Sequence, residues 1–91
     1  MELSFVKEGR RYFAEFKATS DFNLHIEKTG SGFLYVQQKT VENAEYDSIR
    51  GATFAQSDVV IDIDFTALVY PKWIKIVTEV EPTLAVVTYN A

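Results

Sequence analysis

Apolar and polar residues alternate along most of this sequence, and that alternation limits the chain to a fold built from β-strands. The clearest run is Phe22–Glu27, in which three apolar residues alternate with three polar ones. Successive side chains of a strand point to opposite faces, so each run offers one face to a core and one to solvent. Comparable runs occur at residues 12–18, 33–38, 58–65, 73–80 and 83–89.

Turn-forming residues separate these runs at intervals of about eight to twelve residues, which is typical of β-sandwiches and barrels. We therefore predict an all-β fold, a small antiparallel β-sandwich of jelly-roll or Ig-like type with about 7–8 short strands. The glycines in Thr29–Gly32 predict a hairpin between the flanking runs, spanning Phe22–Gln38. Residues 40–45 lack a period and predict a loop, followed by at most one helical turn at Tyr46–Ile49. No linker or repeat divides the chain, so residues 1–91 are predicted to form a single domain.

The composition allows a chain of 91 residues without cysteine to form a core from apolar side chains alone. Hydrophobic residues make up 47% of the chain and include 7 Phe, 5 Tyr and 1 Trp, which supply large buried areas from few positions. Several strands also have apolar residues on the face that should be polar, namely Phe13, Val60, Val77 and Val87. Such residues predict that a partner protein or a second copy of the chain covers part of the surface.

The charge of the chain argues against nucleic acid as a partner, because the formal net charge is −4 and nucleic-acid-binding domains usually have a basic stripe. The basic doublet Arg10-Arg11 follows Gly9 and is interpreted as part of a solvated turn. Met1–Phe5 alternates instead of forming an apolar signal-peptide core, and no apolar run approaches the ~18 residues that span a bilayer. We therefore expect a soluble protein without a signal peptide and without a membrane partner.

Asp58, Asp62 and Asp64 form the most suggestive polar stripe of the sequence. Carboxylates two residues apart on a strand lie on one face, about 6.6–7 Å from each other, and a loop carboxylate such as Asp47 could complete a Ca²⁺ site. The spacing lacks the cadence of a dedicated calcium loop, and a solvated stripe that discourages edge pairing is the simpler explanation. We expect no metal, and these three aspartates are kept as the weak candidates for one.

The inventory of reactive side chains indicates a protein that is not an enzyme and has no cofactor. His25 is the only histidine, and with no cysteine in the chain neither a nucleophile triad nor a zinc site can be built around it. Gly30-Ser31-Gly32 does not open a helix, so it is not a phosphate-binding loop. Two paired aspartates would also suit a glycosidase, but a sandwich of this size rarely has the necessary sugar-sized cleft.

Trp73 is the main candidate for contact with a partner, because it shares a strand face with Lys75 and Glu79. A tryptophan on a polar face can anchor a protein or a sugar, and it can equally close the end of a sandwich. Tyr35 and Tyr89 are further interaction candidates that could flank it.

Two segments of the chain resemble small β-sandwich proteins of tailed-bacteriophage particles, such as capsid decoration and head or tail accessory proteins. One runs from Leu24–Glu27 through Phe33–Gln37 to Tyr46–Ile49, and the other is Tyr70–Val77. The resemblance implies a structural, oligomer-forming protein of the virion and transfers no functional residue.

Two functional hypotheses follow. In the first, the chain is a non-enzymatic interaction protein that docks on a larger assembly, such as a capsid or tail. In the second, it is a carbohydrate- or ligand-binding module in which Trp73 and a tyrosine stack on a sugar and the aspartates hold Ca²⁺.

Overall fold

A computed structural model describes residues 1–55, 58–66 and 69–89 of the chain. These ranges contain eight β-strands, and none of their residues belongs to a helix that could cross a membrane. The strands are β1 (Val6–Glu8), β2 (Arg11–Ala18), β3 (Phe22–Lys28), β4 (Leu34–Lys39), β5 (Asp47–Phe54), β6 (Val60–Phe65), β7 (Lys72–Thr78) and β8 (Pro82–Tyr89).

The strands form two antiparallel sheets, which confirms the predicted β-sandwich. The larger sheet has five strands in the order β1-β2-β7-β4-β5, and the smaller has three in the order β6-β3-β8. Each sheet turns one face toward the other, and the side chains between them form the core.

Four nested antiparallel pairs describe the path of the chain. The first residues pair with β8, where the Leu3 amide donates to the Ala85 carbonyl and the Val87 amide to the Met1 carbonyl (2.9 and 2.8 Å). Inside this pair lie β2 with β7, then β3 with β6, and finally β4 with β5. A long hairpin rolled up in this way is a jelly roll, one of the two sandwich types that the sequence predicts.

The hairpin predicted for Phe22–Gln38 is wrong, because β3 and β4 lie in different sheets and do not pair. The connection at Thr29–Gly32 instead crosses the end of the sandwich. Neither of its glycines has a positive φ, so the tight two-residue turn that glycine favours in hairpins is absent. Gly32 is needed for close approach: a Cβ there would lie 2.8 Å from the Val80 Cγ2 atom.

Residues 47–54 also differ from prediction, because they form one eight-residue strand where the sequence suggests at most a helical turn at Tyr46–Ile49. Between the pairs Tyr35↔Thr53 and Gln37↔Ser48, β5 contains extra residues opposite Val36. Gly51 allows this bulge, since its φ of 77° lies in the left-handed region that other residues rarely adopt. The irregular strand has no clean period, which explains why the alternation does not reveal it. The predicted loop at residues 40–45 is confirmed.

The core contains the apolar stripes that the alternation predicts. Its centre is Phe22, which is fully buried and whose ring packs edge-on against Phe16 at 5.2 Å and stacks on Phe65 at 5.0 Å. Around it lie the buried aliphatic residues Leu24, Ile26, Leu34, Val36, Ile61, Ile74, Ile76 and Val87. Val87 therefore belongs to the core, although the sequence places it among the residues that need a partner.

Candidate functional site

The outer surface of the five-stranded sheet brings basic and aromatic side chains together, and we call it the cationic-aromatic face. It is built mainly by three adjacent strands, β2, β7 and β4. Their outward residues alternate with the buried ones, so the sequence that forms the core also fixes which side chains point outward. The face consists of Arg11, Phe13, Glu15, Lys17, Tyr35, Gln37, Lys39, Trp73, Lys75 and Val77, together with Tyr46 from the loop before β5.

The strand register arranges this face in three rows that run across the sheet. Residues that are directly opposite on neighbouring strands share a face, and successive rows are about 6.6–6.8 Å apart along the strands. The first row is Phe13, Val77 and Tyr35, the second is Glu15, Lys75 and Gln37, and the third is Lys17, Trp73 and Lys39.

Each aromatic ring of the face has a basic group over it. Lys17 lies 5.4 Å from the centre of the Trp73 ring, and Arg11 lies 5.8 Å from that of Tyr35. Lys75 lies 5.0 Å from the centre of the Phe13 ring. Cation–π attraction at such distances holds flexible basic side chains against the sheet. The face therefore presents positive charge over an apolar layer, although the whole chain is acidic.

Tyr46 extends this arrangement and fixes the only acidic group of the second row. The Lys39 ammonium lies 4.5 Å from the Tyr46 ring centre, and the Tyr46 hydroxyl donates to the Glu15 carboxylate at 2.9 Å. Burial, together with this hydrogen bond, raises the pKa of Tyr46 to about 12. The hydrogen bond from the phenol restrains the Glu15 carboxylate.

A depression of about 250 Å³ lies in this face. Its floor is Val77, which is only 8% exposed, and the neighbouring residues of the same row are Phe13 and Tyr35. Arg11 and Glu8, which are cross-strand partners, line one end, and Lys75 and Gln37 line the other.

The structure brings two of the three predicted interaction residues together on this face. Trp73 and Tyr35 are both half-buried there, two rows apart. Tyr89 is elsewhere: it pairs with Phe22, with ring centres 6.5 Å apart, and its hydroxyl donates to the Lys17 carbonyl at 3.0 Å. Burial raises the pKa of the Tyr89 phenol. Tyr89 thus packs at the edge of the core.

The acidic stripe lies on the opposite side of the molecule, on the outer surface of the three-stranded sheet. Asn23 donates to Asp62 at 2.7 Å and to Asp64 at 3.0 Å, so its amide bridges the two carboxylates. Asp58 precedes β6 and accepts a hydrogen bond from the Ala55 amide at 2.9 Å. Among the described residues, no group of three histidine or acidic side chains is arranged to hold a metal ion.

His25 continues this chain of hydrogen bonds on the same surface. Its Nε2 lies 2.7 Å from the Glu27 carboxylate and its Nδ1 lies 3.2 Å from that of Asp62. Only the imidazolium can donate to both carboxylates. The hydrogen bonds to Glu27 and then to Asp62 raise the pKa of His25 above its ordinary value of 6.5. The bonds from Asn23 and then from His25 lower the pKa of Asp62 below 3.8.

We expect the contribution of His25 to the stability of the fold to be largest at acidic pH and to decline as the pH rises. Because its pKa is raised in the folded state, its contribution is complete below the unfolded value of 6.5 and is lost as the pH rises through the folded pKa. The contribution of Asp62 has the opposite sign, since it is lost as the pH falls below about 3.8. The difference in unfolding free energy between the wild type and His25→Gln should therefore be largest near pH 5, measured by urea denaturation.

An NMR titration of His25 checks whether its hydrogen bonds to Glu27 and Asp62 raise its pKa. Glu27→Gln should lower the pKa of His25 more than Asp62→Asn does, because the bond to Glu27 has the larger influence. A His25 pKa at or below 6.5 in the wild type would contradict the assignment of the two hydrogen bonds.

Sequence analysis names none of the cations Arg11, Lys17, Lys39 and Lys75 as an interaction candidate, although it places Lys75 on the same strand face as Trp73. Each of these cations lies on the outward stripe of its strand, and those stripes are visible in the alternation. What the alternation lacks is the order β2-β7-β4, which places the stripes side by side. Arg11, interpreted from the sequence as part of a solvated turn, lies over Tyr35 at the edge of the depression.

Comparisons of the chain with known protein families, with curated proteins and with solved structures find no match.

Proposed function

We propose that this chain is a non-enzymatic docking module that attaches to a larger protein assembly by binding an acidic protein surface on its cationic-aromatic face. The observation that supports this most is the set of cations held over aromatic rings, with Lys17 on Trp73 and Lys75 on Phe13 as examples. Cations that are already restrained lose little side-chain entropy when they pair with a carboxylate. Aromatic residues and arginine are also the types most enriched at the centres of protein interfaces.

A virus particle is the assembly that we propose. Two segments of the chain resemble small β-sandwich proteins of bacteriophage particles, and the jelly roll is common in viral capsid proteins. The second argument is an analogy of fold, so it supports the proposal only together with the docking face. Copurification of the protein with particles, and loss of that association in a Lys17→Glu/Lys75→Glu variant, would link the face to the assembly.

Titration with poly-L-glutamate tests the chemistry of the face directly. Trp73 is the only tryptophan and lies on the face, so its fluorescence reports binding at that place. We expect a saturable change that disappears at about 0.5 M NaCl, where charges are screened over a few ångströms. The variant Lys17→Glu/Lys75→Glu should bind at least about tenfold more weakly.

Lys7→Glu is a matched control for these substitutions. Lys7 also lies over a ring, at 5.9 Å from the centre of Tyr12, but it points away from Val6 and Glu8 and therefore away from the face. Its reversal changes the net charge by as much as the single substitution Lys75→Glu does, and it should alter the affinity by less than about twofold. If Lys7→Glu weakens binding as much as Lys75→Glu does, poly-L-glutamate is attracted to basic residues anywhere on the surface, and the proposed docking face is refuted.

A carbohydrate-binding module is the second candidate, because Trp73 and Tyr35 share one sheet face as a stacking platform would require. Arg11 and Lys17 lie over these rings, so a neutral sugar would have to displace them before it could stack. The candidate aspartates Asp62 and Asp64 lie on the other sheet, away from the rings. A Trp73 fluorescence change with neutral oligosaccharides but none with poly-L-glutamate would favour this candidate over docking.

A further inference from the structure

We infer that the depression in the cationic-aromatic face binds an extended segment of a partner protein with the pattern acidic–x–apolar–x–acidic. The inference rests on the proposed docking function and specifies the segment that is recognised. Alternate residues of an extended peptide are about 6.6–7 Å apart and point to the same side, which matches the spacing of the rows on the sheet. Three consecutive side chains on one side of such a peptide can therefore contact three successive positions along the strands: Arg11, the first row and the second row.

The apolar residue at the centre of the segment fits the floor of the depression. Val77 lies there between Phe13 and Tyr35, and these three form one cross-strand row. Their side chains offer an apolar surface that solvent reaches only partly, since Val77 is 8% exposed and both rings are half-buried. A volume of about 250 Å³ accommodates one aliphatic side chain with the adjoining backbone, and is small for a whole drug-sized ligand.

The acidic residues on either side of it fit the two ends of the depression. Lys75 lies in the second row, on one side of the row that contains Phe13 and Val77. Arg11, two residues before Phe13 on β2, lies one row spacing away on the other side. Arg11 lies over the Tyr35 ring and Lys75 over the Phe13 ring, so both cations lie over aromatic rings of the apolar row. A carboxylate on each side of the central residue would meet one of these cations without disturbing the ring contacts.

The chain itself contains the pattern acidic–x–apolar–x–acidic at Asp58, Val60 and Asp62, so a second copy of the chain is an alternative ligand for the depression. That segment is already engaged. The Asp58 carboxylate accepts from the Ala55 amide, and Asp62 accepts from Asn23 and His25. Binding would have to break these hydrogen bonds, whereas a partner segment with free carboxylates would not. The observations therefore favour a segment of a different protein.

Two capped peptides of equal composition test the pattern. The matching peptide is (Glu-Thr-Val-Thr)₃-Glu, in which valine and glutamate alternate on one side of an extended chain. The control peptide, (Glu-Val-Thr-Thr)₃-Glu, keeps every glutamate in place and moves valine to the other side. We expect the matching peptide to bind about tenfold more tightly, measured by Trp73 fluorescence and NMR shifts, because only it buries valine on Val77.

Reversal of charge provides the decisive variant. Arg11→Glu/Lys75→Glu should lose the matching peptide and bind (Lys-Thr-Val-Thr)₃-Lys instead, and a gain of binding cannot arise from misfolding. Glu8→Gln removes an acidic side chain that lines the depression beside Arg11 and should raise the affinity of the matching peptide about two- to threefold.

The outcomes separate this inference from the function on which it rests. Equal binding of both peptides, lost in the charge-reversal variant, would overturn the pattern and leave docking on an acidic surface intact. No binding of either peptide or of poly-L-glutamate would overturn both. A concentration-dependent dimer in sedimentation that Lys75→Glu and Asp62→Lys each abolish would make a second copy the occupant and would also overturn the inference.

Discussion

Replacement of Phe22 by alanine should lower the free energy of unfolding by about 3–5 kcal/mol. Phe22 is fully buried, and its ring contacts three other aromatic rings, those of Phe16, Phe65 and Tyr89. These rings come from both sheets, so the cavity would lie between the two layers that the fold joins. A domain of 91 residues has a stability of about 5–14 kcal/mol, so this one substitution removes a large part of it.

Urea denaturation followed by circular dichroism measures this effect. With a slope of about 1–1.5 kcal/mol/M for a domain of this size, the midpoint should fall by about 2–5 M. Phe33→Ala is the matched control, since the same atoms are removed from a side chain that is 43% exposed. We expect it to cost less than about 1 kcal/mol. Similar losses in the two variants would show that the ring cluster around Phe22 is not the centre of the core.

How far the sequence predicts this fold depends on whether a property is local. The face on which a side chain lies follows from its position in one strand, so the alternation correctly places Phe22 inside and Lys75 outside. Which strands become neighbours depends on contacts between distant segments. The pairing of β2 with β7, which brings Phe13 beside Val77, joins residues more than fifty positions apart, and no local pattern encodes it.

The connection between β3 and β4 shows the same limit in one loop. Glycine favours hairpin turns because it can adopt a positive φ. It also occurs in connections between sheets, because the missing side chain lets another segment come close. Thr29–Gly32 is compatible with both from sequence alone. In the folded protein the segment that comes close is Val80, which follows β7 and lies against both glycines. The interaction site likewise depends on contacts between distant segments. The alternation identifies Trp73 and Tyr35 as candidates, but the strand order determines which cations lie over their rings.

Gly32→Ala should destabilise the protein by about 1–3 kcal/mol, because overpacking a closely fitted site forces neighbouring atoms to move. The new Cβ would lie 2.8 Å from the Val80 Cγ2 atom and 3.1 Å from the Glu79 Cβ atom. Val80 is β-branched and has little rotational freedom with which to relieve the clash. Thermal and urea unfolding measure the loss, and Ser31→Ala in the same loop should change stability by less than about 0.5 kcal/mol, since Ser31 is exposed.

A second substitution tests whether the loss comes from this contact. In Gly32→Ala/Val80→Ala the clashing methyl group is absent, so the double variant should be more stable than the sum of the two single effects by about 1 kcal/mol or more. If the stability losses of the two single variants simply add, the contact between residues 32 and 80 is not the source of the strain. The loop leads directly into β4, and the Phe33 carbonyl accepts a hydrogen bond from the Glu79 amide at 3.1 Å. Gly32→Ala should therefore also displace Tyr35 relative to Val77 and weaken peptide binding, and the added Val80→Ala substitution should restore the affinity and remove the part of the stability loss that comes from the clash.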